Sequence, residues 1–247
     1  MNDVLQLLNN HRSIRSFTEK KLSDETVEAL VKAAQSASTS SYVQAYSIIG
    51  ITDDNLKAEL RKVSGQSYVE HNGHLFVFVI DYNRHVNLSN KKGVDVKFEN
   101  TEQLLVGTVD ATLAAQNLAI AAESMGLGIC YIGSLRNNVE RVIELLNLPA
   151  GVFPLFGMVV GEPANHGSQK ERLPLEAIYF ENGYKSVNDD DVSTEVEAYD
   201  ARVSEYYKER TNGERSDTWS DQVTAMLSRK TRLDVHDVLK SQGFLQQ

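Results

Sequence analysis

Cysteine occurs once, as Cys130, in a chain of 247 residues. No internal disulfide can form, and no all-cysteine zinc or cluster site can be built within one chain. Proline is nearly as scarce, at four residues, and the 15 glycines are scattered, so no low-complexity linker is expected. No run of about 18 or more apolar residues occurs, so no membrane span is expected. The first residues, MNDVLQLLNNHRS, lack the basic and continuous apolar regions of a signal peptide. Together these absences point to a reducing, cytoplasmic setting. Positive charge is also in short supply: 25 Lys and Arg face 34 Asp and Glu, a net charge of −9. Nucleic acids and anionic membranes need a broad positive footprint, so neither is an expected partner. A small anion needs only a local pocket and stays open as a ligand.

What is present reads as a soluble α+β protein. Residues 2–9 predict a short helix, and Ser23 a capped helix to about Ser36, with Val27, Leu30, Val31 and Ala34 on one face. A polar loop (36–41) leads to a strand at 46–52 and a helix capped by Asp53 or Asp54. LFVFVIDY (75–82) opens with an unbroken apolar run, Leu75 to Ile80, which predicts a strand covered on both faces. Residues 83–100 lack a clear period and read as an irregular excursion. A helix at about 101–125 is apolar or small nearly all round, as at a domain centre or a subunit interface, and Gly126 suits its end. Strands are expected at 128–134 and 153–163, around a helix at 136–148, with a short further strand at 177–180. No strand signal occurs after residue 187. The expected architecture is a three-layer sandwich with a mixed central sheet, residues 1–187 forming the core and 188–247 a helical extension.

Three clusters could carry chemistry. His11-Arg12-Ser13-Ile14-Arg15 places two guanidinium groups, a hydroxyl and an imidazole just after a helix. Guanidinium forks suit phosphate, but the same residues also suit a basic helix end answering the helix dipole. Lys170 and Arg172 set two cations on alternate residues of a loop; read alone, they fit a solvated charge cluster better than an anion site. Ile132-Gly133-Ser134 lies where a strand passes into a helix, where bare backbone N–H groups can meet a ligand or form an ordinary turn. Sharper motifs are missing. Gly126-Leu127-Gly128 does not continue as a dinucleotide-binding turn, and neither a Walker A loop nor a GxSxG elbow occurs. His71 and His74 lack a third ligand, so no metal site is expected.

HRSIRSF (11–17), SASTSSYVQ (36–44), SGQSYV (64–69), YIGSLRN (131–137) and KERLP (170–174) occur in this order. With YYKERTNGERSDTWSD (206–221), they make the chain resemble the FMN-dependent nitroreductase superfamily. Its NADPH-dependent flavin reductase and oxygen-insensitive nitroreductase group is the nearest in pattern. The resemblance implies a nitroreductase-like α+β fold and a homodimer with two FMN molecules in its interface. It implies that His11, Arg12, Ser13 and Arg15 bind the phosphate and ribityl end of FMN. Gln66 and Tyr68 would lie near the flavin, in a loop one residue shorter than in some relatives. Thr39, a position often Ser, would come from the other subunit. Ile132, Gly133 and Ser134 would back the ring, with Ser134 standing where a second glycine is common. Lys170 and Arg172 would stabilise negative charge on the reduced ring's N1–C2=O edge. Arg210 and Arg215 match the segment that takes the 2′-phosphate of NADPH. The implied activity is ping-pong, two-electron transfer from NADPH to a small-molecule acceptor: a flavin, a quinone or a nitro compound. It needs no side-chain nucleophile. A reductive dehalogenase of the same superfamily, or a non-enzymatic module binding FMN or a phosphometabolite, is the rival reading.

Overall fold

A single polar side chain starts most of the long helices. The computed structural model describes residues 2–247. Its first helices are α1 (Asp3–Asn9), α2 (Asp24–Gln35), α3 (Asp54–Ser64), α4 (Asn83–Lys92) and α5 (Thr101–Ser124), and α6 (Val139–Leu145) follows. Ser23 Oγ accepts from Thr26 N at 3.3 Å to open α2. Asp53 Oδ1 accepts from the Asn55 and Leu56 amides at 2.8 and 3.2 Å to open α3. Asn100 Oδ1 accepts from Gln103 N at 2.9 Å to open α5. Each cap satisfies donors that the first helical turn leaves unpaired. α4 replaces the expected irregular excursion. It has no legible apolar period because its one buried residue is Ser89.

The strands are β1 (Tyr46–Ile51), β2 (His74–Asp81), β3 (Gly128–Ile132) and β4 (Val152–Gly161), in the order β1-β2-β4-β3. All three pairings are antiparallel. The mixed character expected of the sheet is confined to one parallel bridge, Ser13 to Ile129, because the segment running beside β3 pairs at a single position. Alternation along β2 supplies two cores. Phe76 and Phe78 pack with Leu30, Ala34, Ala114, Leu118 and Met158, under α2 and α5. Leu75, Val77 and Val79 pack with Leu60, Cys130, Ile132, Leu135 and Val142, under α3 and α6. Helices therefore cover both faces, which is why β2 is apolar from Leu75 to Ile80.

By length and composition α5 could cross a membrane. Here it is a core helix. Gly107 lets it approach the sheet: a Cβ there would lie 2.4 Å from Ile80 Cγ2. Asp110, fully buried at its middle, accepts from Ser40 N at 2.9 Å and Ala45 N at 3.0 Å. A stripe of Leu105, Val109 and Leu113 is left exposed.

The chain forms two compact units, one of residues up to Gln169 with Arg232–Gln247, the other of Lys170–Thr231. In the first, α9 (Val235–Ser241) and the chain end pack Val238, Leu239 and Phe244 against Ala45, Ile80, Tyr82 and Phe153. The second holds α7 (Asp190–Arg210) and α8 (Trp219–Leu227), joined by Tyr199 against Trp219 at 6.0 Å between ring centroids. The strand expected at 177–180 does not form. A 3-10 turn, Leu175–Ala177, stands there, and Ile178 and Tyr179 are exposed with no strand beside them to pair with.

Candidate functional site

Residues 11–17 leave α1 and run along the edge of β3. Ile14 N donates to Ile129 O at 2.8 Å, and Phe17 bridges Pro163. Alternation buries Ile14 and turns Ser13 and Arg15 outward. Gly128 makes the close approach possible, since a Cβ there would lie 2.5 Å from Ile14 Cγ1. His11 Nδ1 meets Glu123 Oε1 of α5 at 2.6 Å, which fixes the imidazole at the head of the segment. Arg12 Nε donates to Asn10 O at 3.3 Å.

Lys20, Lys21, Arg61, Arg84 and Arg141 all pair with carboxylates. Among the described residues, Arg12 and Arg15 pair with none. Two guanidinium groups and the Ser13 hydroxyl thus lie within four residues, on a backbone fixed by the sheet, without an acid to answer them. That donor set fits a phosphate dianion.

Gln66 precedes a 3-10 turn, Ser67–Val69, that carries Tyr68. Burial beside Cys130 pushes the Tyr68 phenol up, while Arg15 pulls it down. The structure therefore brings Arg15, Tyr68 and Cys130 together. Burial also pushes the Cys130 thiol up, which agrees with a packing role for that residue rather than a nucleophilic one. Ile132, buried, ends β3, and Gly133 and Ser134 begin the next 3-10 turn, Gly133–Asn138. A Cβ on Gly133 would be in contact with the Arg136 guanidinium, its nearest atom 3.4 Å away. Thr39 is carried by a different segment. It precedes the 3-10 turn Ser40–Tyr42, whose Ser40 amide is tied to Asp110, and its side chain makes no capping hydrogen bond.

In the unit of residues 170–231, Lys170 Nζ donates to the Tyr207 hydroxyl at 2.6 Å, and Arg172 Nη1 donates to Lys170 O at 2.7 Å. Neither cation has a carboxylate partner among the described residues. The guanidinium of Arg215 lies 4.2 Å from the Tyr207 ring centroid and pairs with Asp217. Arg210 Nη1 donates to the Tyr206 hydroxyl at 3.1 Å. Tyr207 thus gathers one candidate ring-edge cation and one candidate NADPH cation. Its helical spacing in the sequence marks only a packing residue. Glu123, the partner of His11, carries no sequence signal at all.

Comparison with known proteins bears on the family and the fold. Residues 8–162 match the nitroreductase family and residues 170–247 its C-terminal domain. The chain is 53% identical over 247 residues to the FMN reductase (NADPH) of Bacillus subtilis strain 168, covering 99% of each chain. It is 54% identical over 246 residues to an NADPH-dependent oxidoreductase of Staphylococcus epidermidis, covering 98% of each. Among solved structures, the NfrA1 nitroreductase of B. subtilis superposes with a TM-score of 0.96 at 52% identity, over 99% of this chain and 100% of that one. The NADPH:FMN oxidoreductase of Vibrio harveyi, complexed with NAD+, superposes at 0.90 with 38% identity, over the full length of both. Family model, full-length relatives and fold agree, and the chain belongs to the nitroreductase family.

Proposed function

We propose that this protein is an FMN-dependent oxidoreductase that takes two electrons from NADPH and passes them to a small acceptor: a flavin, a quinone or a nitro compound. The observation that carries the reading is the pair Arg12 and Arg15, held by the sheet without an acidic partner, in a chain 53% identical to an NADPH-dependent FMN reductase. When bound, FMN supplies a ring that accepts and returns an electron pair, so no side-chain nucleophile is required.

The chain's own residues bind, orient and balance charge. Arg12, Arg15 and Ser13 hold the phosphate, with His11 fixed by Glu123 beside them. Gln66, Tyr68, Ile132, Gly133 and Ser134 line the ring, and Thr39 serves the site of a second copy. Lys170 and Arg172 would supply positive charge to a bound flavin; the Tyr207 hydroxyl holds the Lys170 ammonium in one position. Arg210 and Arg215 take the 2′-phosphate of NADPH. The working unit is a homodimer: the exposed apolar stripe Leu105, Val109 and Leu113 on α5 is the surface a second copy would cover. A single buried cysteine suits a cytoplasmic setting.

The purified protein should be yellow with a flavin spectrum, and NADPH should bleach it until an acceptor restores the colour. A colourless protein that consumes no NADPH would overturn the reading. NADPH oxidation that depends on an organohalide, and not on a quinone or nitro compound, would redirect it to dehalogenation.

A further inference from the structure

Lys57 is 1% exposed and lies inside α3. A lysine is almost never buried this fully without a paired charge. The nearest acid on its own helix, Asp54, is occupied by Lys21 at 3.0 Å. The Lys57 ammonium instead donates to a neutral acceptor, Asn72 Oδ1, at 3.2 Å. Asn72 is itself 2% exposed, and its amide nitrogen donates to Tyr68 O and to Val69 O, each at 2.9 Å.

The chemistry of this chain of contacts runs in one direction. An ammonium can only donate, so the Asn72 oxygen must face it. The NH2 group must then face the two carbonyls of the 66–69 turn. The positive charge also polarises the amide and strengthens both of its donors. Stability alone does not call for a charge at this position, because a buried cation is costly where a methionine would pack. What the charge does is lock the amide, and through it the turn that carries Gln66 and Tyr68.

We propose that Lys57, acting through Asn72, is a positioning residue that holds the Gln66–Val69 turn in the shape that presents Gln66 and Tyr68 to the flavin. The inference rests on the reading that these two residues touch FMN. It adds a part of the binding machinery that lies wholly beneath the site.

A double-mutant cycle of Lys57→Met, Asn72→Leu and both together tests it, read in two ways. In the first, the reconstituted holoenzymes are titrated with FMN. Lys57→Met removes one hydrogen bond from a charged donor and should raise the Kd about tenfold; Asn72→Leu removes that bond and the two to the turn carbonyls and should raise it at least as much. Both should change the visible circular dichroism of the bound flavin. The double variant should be no worse than Asn72→Leu, because Lys57 acts only through Asn72. Unchanged affinity and dichroism in Lys57→Met, or additive losses in the double variant, would overturn the proposal. In the second, amide exchange is followed at Val69 and Glu70 in the protein without added flavin. It should quicken about tenfold in both single variants, and unchanged exchange would overturn the link from Lys57 to the turn. If Asn72→Leu does not fold, Lys57→Met alone decides both readouts. If the unsubstituted protein fails to bind FMN, the proposed function falls, while amide exchange still decides whether Lys57 holds the turn.

Discussion

Gly128 and Ile14 approach so closely that no side chain fits between them: a Cβ on Gly128 would lie 2.5 Å from Ile14 Cγ1. The contact sets the distance from β3 to the stretch that carries Arg12, Ser13 and Arg15. Gly128→Ala should destabilise the protein by about 1–3 kcal/mol, as overpacking does. It should also weaken FMN binding, since the Ile14–Ile129 hydrogen bond must shift. Gly183→Ala is the control, with nothing within 4 Å of its added methyl group. Thermal melts and FMN fluorescence titrations check both. Equal effects of the two substitutions would refute the role given to Gly128.

Asp110 ties α5 to both ends of the 40–45 turn through two backbone amides. Asp110→Asn offers one acceptor where the carboxylate offers two, so one buried N–H loses its partner. The expected cost is about 1–3 kcal/mol in urea unfolding. Amide exchange should quicken at Ser40 or Ala45 in particular. A variant as stable as the parent, with both amides still protected, would contradict this.

Arg215 is held by Asp217 and by the face of Tyr207, so its guanidinium is pre-set rather than free. Arg215→Ala should raise the KM for NADPH far more than that for NADH, because only NADPH carries the 2′-phosphate. Steady-state kinetics with both donors decide the matter, and equal changes would remove Arg215 from the donor site.

Two buried basic groups give the stability a defined pH dependence. Burial first, then Lys21, pushes Lys57 from its ordinary 10.5 down to about 8. Between these values the unfolded chain binds the extra proton, so stability rises as pH climbs from about 8 to about 10.5. Burial first, then Lys57, pushes His74 from 6.5 down to about 4. Stability is therefore lost as pH falls from about 6.5 towards 4, where unfolding lets the imidazole take up a proton. Urea unfolding across the alkaline window should show the rise in the parent and a flatter profile in Lys57→Met. Parallel profiles would refute the assignment.

Much of this was legible in the sequence where one residue type has one local use. Ser23, Asp53 and Gly126 mark helix ends by chemistry that acts within three residues, and the uninterrupted apolar run of β2 announces two covered faces. The His11–Arg15 cluster was visible because two arginines and a serine so close together are rare neighbours. What was hidden depends on partners far along the chain. α4 buries only Ser89, so no period marks it. The 177–180 run has strand composition but no neighbouring strand. Arg232–Gln247 belongs with the first unit because Val238 and Phe244 find Ile80 and Phe153, residues that spacing alone cannot connect. Lys57 and Asp110 give no sign of their roles in the sequence, since a charged letter does not show which amides it will meet.

The bare charge of Arg12 and Arg15 has a consequence for the protein's life in a cell. A chain that leaves its best anion donors unanswered is finished by a metabolite. Ligand at a hundred times its Kd adds about 2.7 kcal/mol to the folded state. When riboflavin derivatives run short, the incomplete chain should open more often and be more exposed to proteases. Its abundance would then track vitamin supply with no change in gene expression.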